Sequence, residues 1–200
     1  MRRALLITLS LVLALVGWSA VGAEDGFYVI PAMRGKYAPV PKTGQITPFD
    51  TRDDGALQKG VAWPTPRFTD NNNGTITDNL TKLIWMKNAN AFGGRTWAQA
   101  ISAANSLQAG QQSGLTDGSK AGDWRLPNVR ELQSLVDYGR YNPALPAGHP
   151  FTNVQSSYYW SSSTYAGYTT LAWYVHFNGG HVGLDDKSYS SYVWCVRAGP

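Results

Sequence analysis

His149, His176 and His181 are the only imidazoles in this 200-residue chain. His176 and His181 flank Asn178-Gly179-Gly180, a turn that brings two strands side by side, and Asp185 and Asp186 follow. The chemistry such a group suggests is metal ligation. Two histidines on a hairpin more often serve as polar surface residues, and no metal is assigned to them. Adjacent strand residues point to opposite faces, so Asp185 and Asp186 make a poor carboxylate pair for glycoside hydrolysis. Serines stand at 156, 157, 161, 162 and 163, none of them in a Gly-x-Ser-x-Gly elbow. The stretch from Asp70 to Asp78 invites a calcium loop, but its glycine falls at the fifth position and Thr81 at the twelfth, so the register fails. No glycine-rich phosphate loop is present. Nothing here points to an enzyme, and no cofactor is implied.

What remains is tyrosine. Seven of the eleven lie between Tyr158 and Tyr192, among Ser, Thr, Gly and Asn. Tyrosine offers a large amphipathic contact at low entropic cost, and small polar neighbours adapt around it. Aromatic rings with few charges also suit the C–H faces of sugars. The plain alternative is ordinary antiparallel sheet, where Tyr and Thr are favoured in any case. Alternation in Ala172–Phe177 assigns Trp173, Val175 and Phe177 to the core and Tyr174 and His176, followed by Asn178, to an open face. Val182 and Leu184 point inward, which leaves His181 on the polar side. The candidate ligand-binding residues are Tyr165, Tyr168, Tyr174, His176, Asn178, His181, Asp185 and Tyr189. Trp124, Trp160, Trp173 and Trp194 are expected in the core.

These side chains need elements to hold them. Arg67–Thr69 and Thr75–Asp78, joined by Asn and Gly, form a hairpin, and Leu83–Met86 is an apolar strand. Thr96 with Gln99, and Asn128 with Glu131, are start signals for two helices. The second helix, VRELQSLVDY, carries a Leu132/Leu135/Val136 stripe. From Tyr158 the period changes to two, with short strands at Tyr158–Ser161, Ala172–Phe177, His181–Leu184 and Tyr192–Arg197. The fold class is α+β: two helices packed with a twisted antiparallel sheet. Prolines at 31, 39, 41, 48, 64 and 66 make residues 24–66 an extended arm with at most one short strand. The folded domain spans 67–200.

Residues 1–23 form a signal peptide: Arg2 and Arg3, an apolar run from Leu5 to Val16, then small residues before Glu24. The chain is therefore exported, to the periplasm, the outer surface or the medium, with no membrane insertion after cleavage. Seventeen basic and thirteen acidic residues become fifteen and thirteen once Arg2 and Arg3 are removed. So small an excess does not call for a nucleic-acid partner. Cys195 is the only cysteine, which excludes an intrachain disulfide and any two-cysteine site; it is expected to be a small buried strand residue. Asn79-Leu80-Thr81 is taken as a chance sequon.

The segments FTDNNNGTITDNLTKLIWMKN, TWAQAI, GLTDGSKAGDWRLPNVRELQSLVDY, YYWSSSTY, AWYVHF and YVWCVR together resemble the C-terminal domain of the Legionella collagen-like adhesin family, Lcl. The resemblance runs from about Gly60 to Ala198, and DWRLPNVREL with YWSSS is its most specific part. It implies a C-type-lectin-like fold, distantly related to formylglycine-generating enzymes and to the variable proteins of diversity-generating retroelements. It also implies binding to sulfated glycans and host surfaces. Two departures matter. There is no collagen-like repeat, and Ala91 and Gln112 stand where relatives often carry a cysteine pair. A formylglycine-generating activity needs a copper-binding cysteine pair, which Cys195 alone does not supply.

The function expected is that of a secreted or cell-surface binding module for a carbohydrate or protein. Its ligand would meet the aromatic and polar surface of the last strands and loops. The alternative is an envelope structural or assembly protein whose N-terminal arm engages a partner chain.

Overall fold

The hairpin forms where the Asn-Gly run predicts it. β1 (Phe68–Asp70) pairs antiparallel with β2 (Thr75–Asp78), and Phe68 lies opposite Asp78. Asn72 and Gly74 take the left-handed backbone the turn requires. Asp70 accepts the Asn72 amide at 2.9 Å, and Lys87 reaches the other Asp70 oxygen at 2.6 Å. β3 (Ile84–Met86) adds to β2, and its three residues are buried. The structure, a computed structural model, describes residues 40–199. The expected signal peptide and the first part of the arm, 24–39, lie outside the described residues.

β4 (Gly94–Arg95) leads into α2 (Trp97–Ser106), where the Thr96 amide donates to Gln99 Oε1 at 3.1 Å. α3 covers Val129–Gln133. Its cap is complete: Asn128 Oδ1 accepts from the Arg130 and Glu131 amides, each at 2.9 Å, and Glu131 accepts from the Asn128 amide at 2.8 Å. Arg125 adds a two-pronged pair to the Glu131 carboxylate, each bond 2.7 Å. This helix is shorter than its pattern suggests. The Ser134 hydroxyl bonds back to the Glu131 carbonyl at 2.7 Å, and the Asp137 amide then turns away to Ala144. Leu132, Leu135 and Val136 are nonetheless all buried.

β5 (Tyr158–Thr164), β6 (Leu171–His176) and β7 (His181–Asp186) form an antiparallel meander with a register shift in β5 after Trp160. The expected last strand, Tyr192–Arg197, is broken in two. β8 (Ser191–Tyr192) runs parallel beside β5, and β9 (Val196–Arg197) pairs with β3. Val193–Cys195 between them are wholly buried and carry the chain from one sheet to the other. There are thus two sheets where one was expected: a four-stranded sheet in the order β1-β2-β3-β9 and a five-stranded sheet in the order β4-β8-β5-β6-β7.

The two sheets share an aromatic core. Trp194 meets Trp85, Phe151, Tyr159 and Phe177 with ring centroids 5.8, 4.8, 5.6 and 5.5 Å away. Its indole nitrogen donates to the Met86 carbonyl at 2.8 Å, so the buried polar atom is satisfied. Trp124 and Trp160 are buried as expected. Trp173 is not: it is half-buried with Tyr165 edge-on to its ring, beside the stretch of β5 where the register shifts between Trp160 and Thr164. Cys195 is fully buried, and burial pushes its thiol far above its ordinary range.

Residues 40–66 are less extended than their prolines suggest. A parallel bridge joins Pro41 to Val61, and α1 (Asp54–Leu57) is capped by Asp53, which accepts the Ala56 amide at 2.8 Å. The segment is held by the Tyr138 amide on Thr43 O (2.9 Å) and by the Trp63 indole on Lys42 O (3.0 Å).

Arg67 fastens this region to the core. It makes two bonds to the fully buried Asp78 carboxylate, at 2.9 and 3.1 Å, donates to Ser134 O at 2.7 Å, and lies over the Trp63 ring. The Leu80 amide and the Thr81 hydroxyl fill the remaining Asp78 sites, both at 2.9 Å. Asp78→Ala is expected to lower unfolding stability by about 3–5 kcal/mol, because Arg67 is left buried and unpaired. Urea denaturation measures this; a variant within about 1 kcal/mol of wild type would show that the pair is not structural. In the native protein Cys195 should not react with a thiol reagent, and it should react once urea unfolds the chain.

Candidate functional site

Cross-strand register, not chain proximity, assembles the site. Tyr158, His176 and His181 lie directly opposite one another on β5, β6 and β7, and the next same-face row holds Trp160, Tyr174 and Gly183. Opposed residues project to the same side of a sheet. Trp160 in the second row is buried, its indole bonded to Arg95 O at 3.0 Å. The face is therefore open at one end, where β5 begins and β6 turns into β7.

Four rings meet there. Tyr158 stacks on His176 with centroids 4.3 Å apart and planes 17° apart. Tyr174 sets its edge against Tyr158 at 4.8 Å, and His181 sets its edge against His176 at 4.6 Å. Tyr174 and His181 are 6.1 Å apart. Edge-to-face and offset contacts of this kind are the favoured aromatic geometries. The Tyr174 ring lies across Gly183 on the neighbouring strand, where a Cβ would collide with its phenol end. Glycine makes room there for the Tyr174 ring by the absence of a side chain and not by its backbone angle.

Burial sets the electrostatics. It lowers the His176 pKa below 6.5, and the nearby His181 lowers it further. One His176 nitrogen, Nδ1, is shielded and carries no hydrogen bond. Both effects favour the neutral imidazole at neutral pH. The Tyr174 phenol is raised above its ordinary value by burial, by Tyr158 and by the Asp185 carboxylate.

The structure divides the eight sequence candidates. Tyr174, His176 and His181 share the ring cluster, and Asp185 acts on it through Tyr174. Tyr165 and Tyr168 form a second group, 6.2 Å apart, with Trp173 edge-on to Tyr165 at 5.8 Å. Trp173 and Tyr174 are consecutive in β6, so the two groups leave opposite faces of the sheet. Asn178 is exposed in the β6–β7 turn, where its carbonyl accepts the Asn142 amide at 2.8 Å. Tyr189 is exposed in the turn after β7 and joins neither group.

Tyr158 was missed by sequence reasoning. It sits at a strand start beside the buried pair Tyr159 and Trp160, so alternation does not mark it as open. The only signal that identifies it is the β5–β6 register. Among the described residues, no three His, Cys, Asp or Glu side chains converge to hold a metal ion. A more enclosed cleft, of about 280 Å³, lies elsewhere, between the β1–β2 turn, Lys87–Asn88 and Ser113–Leu115. The ring cluster is a platform.

The model of the Lcl C-terminal domain matches residues 74–197, and the chain belongs to that family. The match takes in Tyr158 and all eight candidates. No curated protein matches the chain.

His176 is expected to titrate below 6.5 when followed by NMR, and His181→Asn should raise its pKa toward the ordinary value. Because its folded pKa is depressed, the native state binds fewer protons than the unfolded chain below pH 6.5. This group therefore withdraws stability as pH falls from 6.5 through its folded pKa, and His176→Phe should remove that part of the pH dependence. A His176 pKa above 6.5 would contradict the shielded, neutral stack.

Proposed function

We propose that this member of the Lcl C-terminal domain family is an exported binding module with a C-type-lectin-like fold. It takes a carbohydrate, or a protein ligand in the same way, on the Tyr158/Tyr174/His176/His181 platform at the cell surface. The observation that carries this reading is the ring cluster itself. Four amphipathic rings are held at one end of a sheet by strands whose other face is locked into the core. A pyranose places its C–H face on such rings while its hydroxyls find the phenol and imidazole edges. The module binds without catalysing a reaction and without a cofactor. Export follows from the leader in residues 1–23, and its end point is the periplasm, the outer surface or the medium. Among the described residues, no helix is long and apolar enough to cross a membrane.

A second reading rests on a different observation. Ile46, Phe49 and Tyr141 are 71%, 84% and 81% exposed and, with Tyr138, line a groove of about 350 Å³ beside the 40–66 segment. Contiguous exposed apolar side chains mark contact surfaces. In this reading the arm engages a partner chain in the cell envelope.

One comparison separates the two. A glycan array and a pull-down from host-surface extract are run with wild type, a Tyr158/Tyr174/His176 triple alanine, a Tyr165/Tyr168 double alanine and a Phe49/Tyr141 double alanine. The first variant should lose binding by tenfold or more, roughly the loss of two aromatic contacts. The Tyr165/Tyr168 variant should lose little. Equal binding by wild type and the triple alanine would sink the platform, and loss confined to the Phe49/Tyr141 variant would favour the arm.

A further inference from the structure

We propose that Asn178–Gly179, in the turn between β6 and β7, is a spontaneous modification site that loses the asparagine carboxamide nitrogen as ammonia, and that the change is felt at His176 and His181. Among the described residues, Asn or Asp precedes Gly at four places: Asp54–Gly55, Asn73–Gly74, Asp117–Gly118 and Asn178–Gly179. Glycine has no side chain to keep its amide nitrogen away from the preceding side-chain carbon, so ring closure between the two is easiest at such pairs.

Three of the four are locked. Asn73 Oδ1 accepts from the Thr75 amide at 3.2 Å and from the Thr75 hydroxyl at 2.7 Å. Gly74 is pressed against the Gly114 carbonyl, where a Cβ would collide. The Asp117 side chain is wholly shielded; it accepts from the Ser119 amide and hydroxyl at 3.3 and 2.7 Å and pairs with Arg197 at 3.2 Å. Asp54 accepts from the Thr43 hydroxyl, and Gly55 is buried against the Thr47 carbonyl.

Asn178 differs in every respect. Both it and Gly179 are exposed. Among the described residues, its carboxamide makes no hydrogen bond and the Gly179 amide donates to no acceptor. A Cβ at Gly179 would meet no atom within 4 Å. The turn is anchored around this pair. The Asn142 amide donates to Asn178 O and the Gly180 amide to His176 O, each at 2.8 Å, and Gly180 packs on Val136. The reacting groups are thus free between fixed points.

The chemistry needs only water and base. Base removes the proton from the Gly179 amide nitrogen, which attacks Asn178 Cγ. The new N–Cγ bond closes a cyclic imide, the Cγ–Nδ2 bond breaks, and the leaving nitrogen takes up a proton and departs as ammonia. Water then adds to one imide carbonyl and opens the ring. Opening at the Cγ–N bond gives an aspartyl residue. Opening at the main-chain carbonyl gives an isoaspartyl residue, whose backbone runs through Cγ and is one carbon longer. Either product puts a carboxylate into Phe177–Gly180, a turn that carries no charge and that sets His176 opposite His181.

The test incubates the full chain at pH 7.4 and 37 °C and reads the products at each asparagine by peptide mapping with mass spectrometry. Asn178 should deamidate at least about tenfold faster than Asn73. In guanidinium, where the fold no longer holds Asn73 against Thr75, the two rates should converge. The rate at Asn178 should rise with pH, because the reaction begins with a deprotonation. Gly179→Ala adds a side chain into open space, so it should leave the unfolding midpoint unchanged while suppressing the reaction. The NMR signals of His176 and His181 should shift as product accumulates. A folded chain in which Asn178 reacts no faster than Asn73, or in which Gly179→Ala reacts like wild type, overturns the site. Histidine signals that stay fixed while Asn178 is consumed overturn its link to the ring cluster and leave the site standing.

Discussion

Everything in this domain is referred to Trp194. One indole touches Trp85 from the four-stranded sheet, Tyr159 and Phe177 from the five-stranded sheet, and Phe151 from the loop between them. A side chain this large contributes a few kcal/mol by burial alone, and its edge-on contacts add direction. The bond from its nitrogen to Met86 O then fixes its orientation against β3. Because Val193–Cys195 cross from one sheet to the other at this point, the hub also sits on a covalent crossing between them.

The platform inherits its rigidity from the hub. Tyr159 and Phe177 lock the inner face of β5 and β6, and Tyr158 and His176 are their immediate chain neighbours on the outer face. A strand cannot turn its outer residues without turning its inner ones. The outer rings are therefore held in place by the inner ones, and an arrangement fixed in this way leaves little conformational freedom to be lost in any contact. Gly183 completes the arrangement by leaving room for the Tyr174 ring. The Lcl C-terminal domain match, residues 74–197, covers every strand that carries these rings.

Local chemistry was readable residue by residue. Asn128 with Glu131 and Thr96 with Gln99 mark the starts of both helices, because a cap depends on side chains within three residues of the amides they satisfy. The Asn72–Gly74 turn, the burial of Cys195 and the α+β class were legible for the same reason. Errors appear where a distant contact decides. Asp137 leaves the line of α3 through its amide bond to Ala144, seven residues on and beyond the reach of a cap. The strand expected at Tyr192–Arg197 splits because its middle crosses between sheets. Residues 41–61 close on themselves through a bridge twenty residues apart in sequence.

The site shows the same division. Sequence by itself determined that Tyr174, His176 and His181 share a polar face, since strand alternation and the Asn178–Gly180 turn settle which side each takes. It also determined that the strands carrying them hold no Lys or Arg. Only the tertiary structure decided that Tyr158 stacks on His176, that Tyr165 and Tyr168 belong to the opposite face, and that Trp173 leaves the core. The physical reason is that alternation is a property of one strand, whereas register and the extent of the core belong to the pairing of strands and to the hub beneath them. Neither quantity is encoded within the few residues over which a single chain's local preferences act.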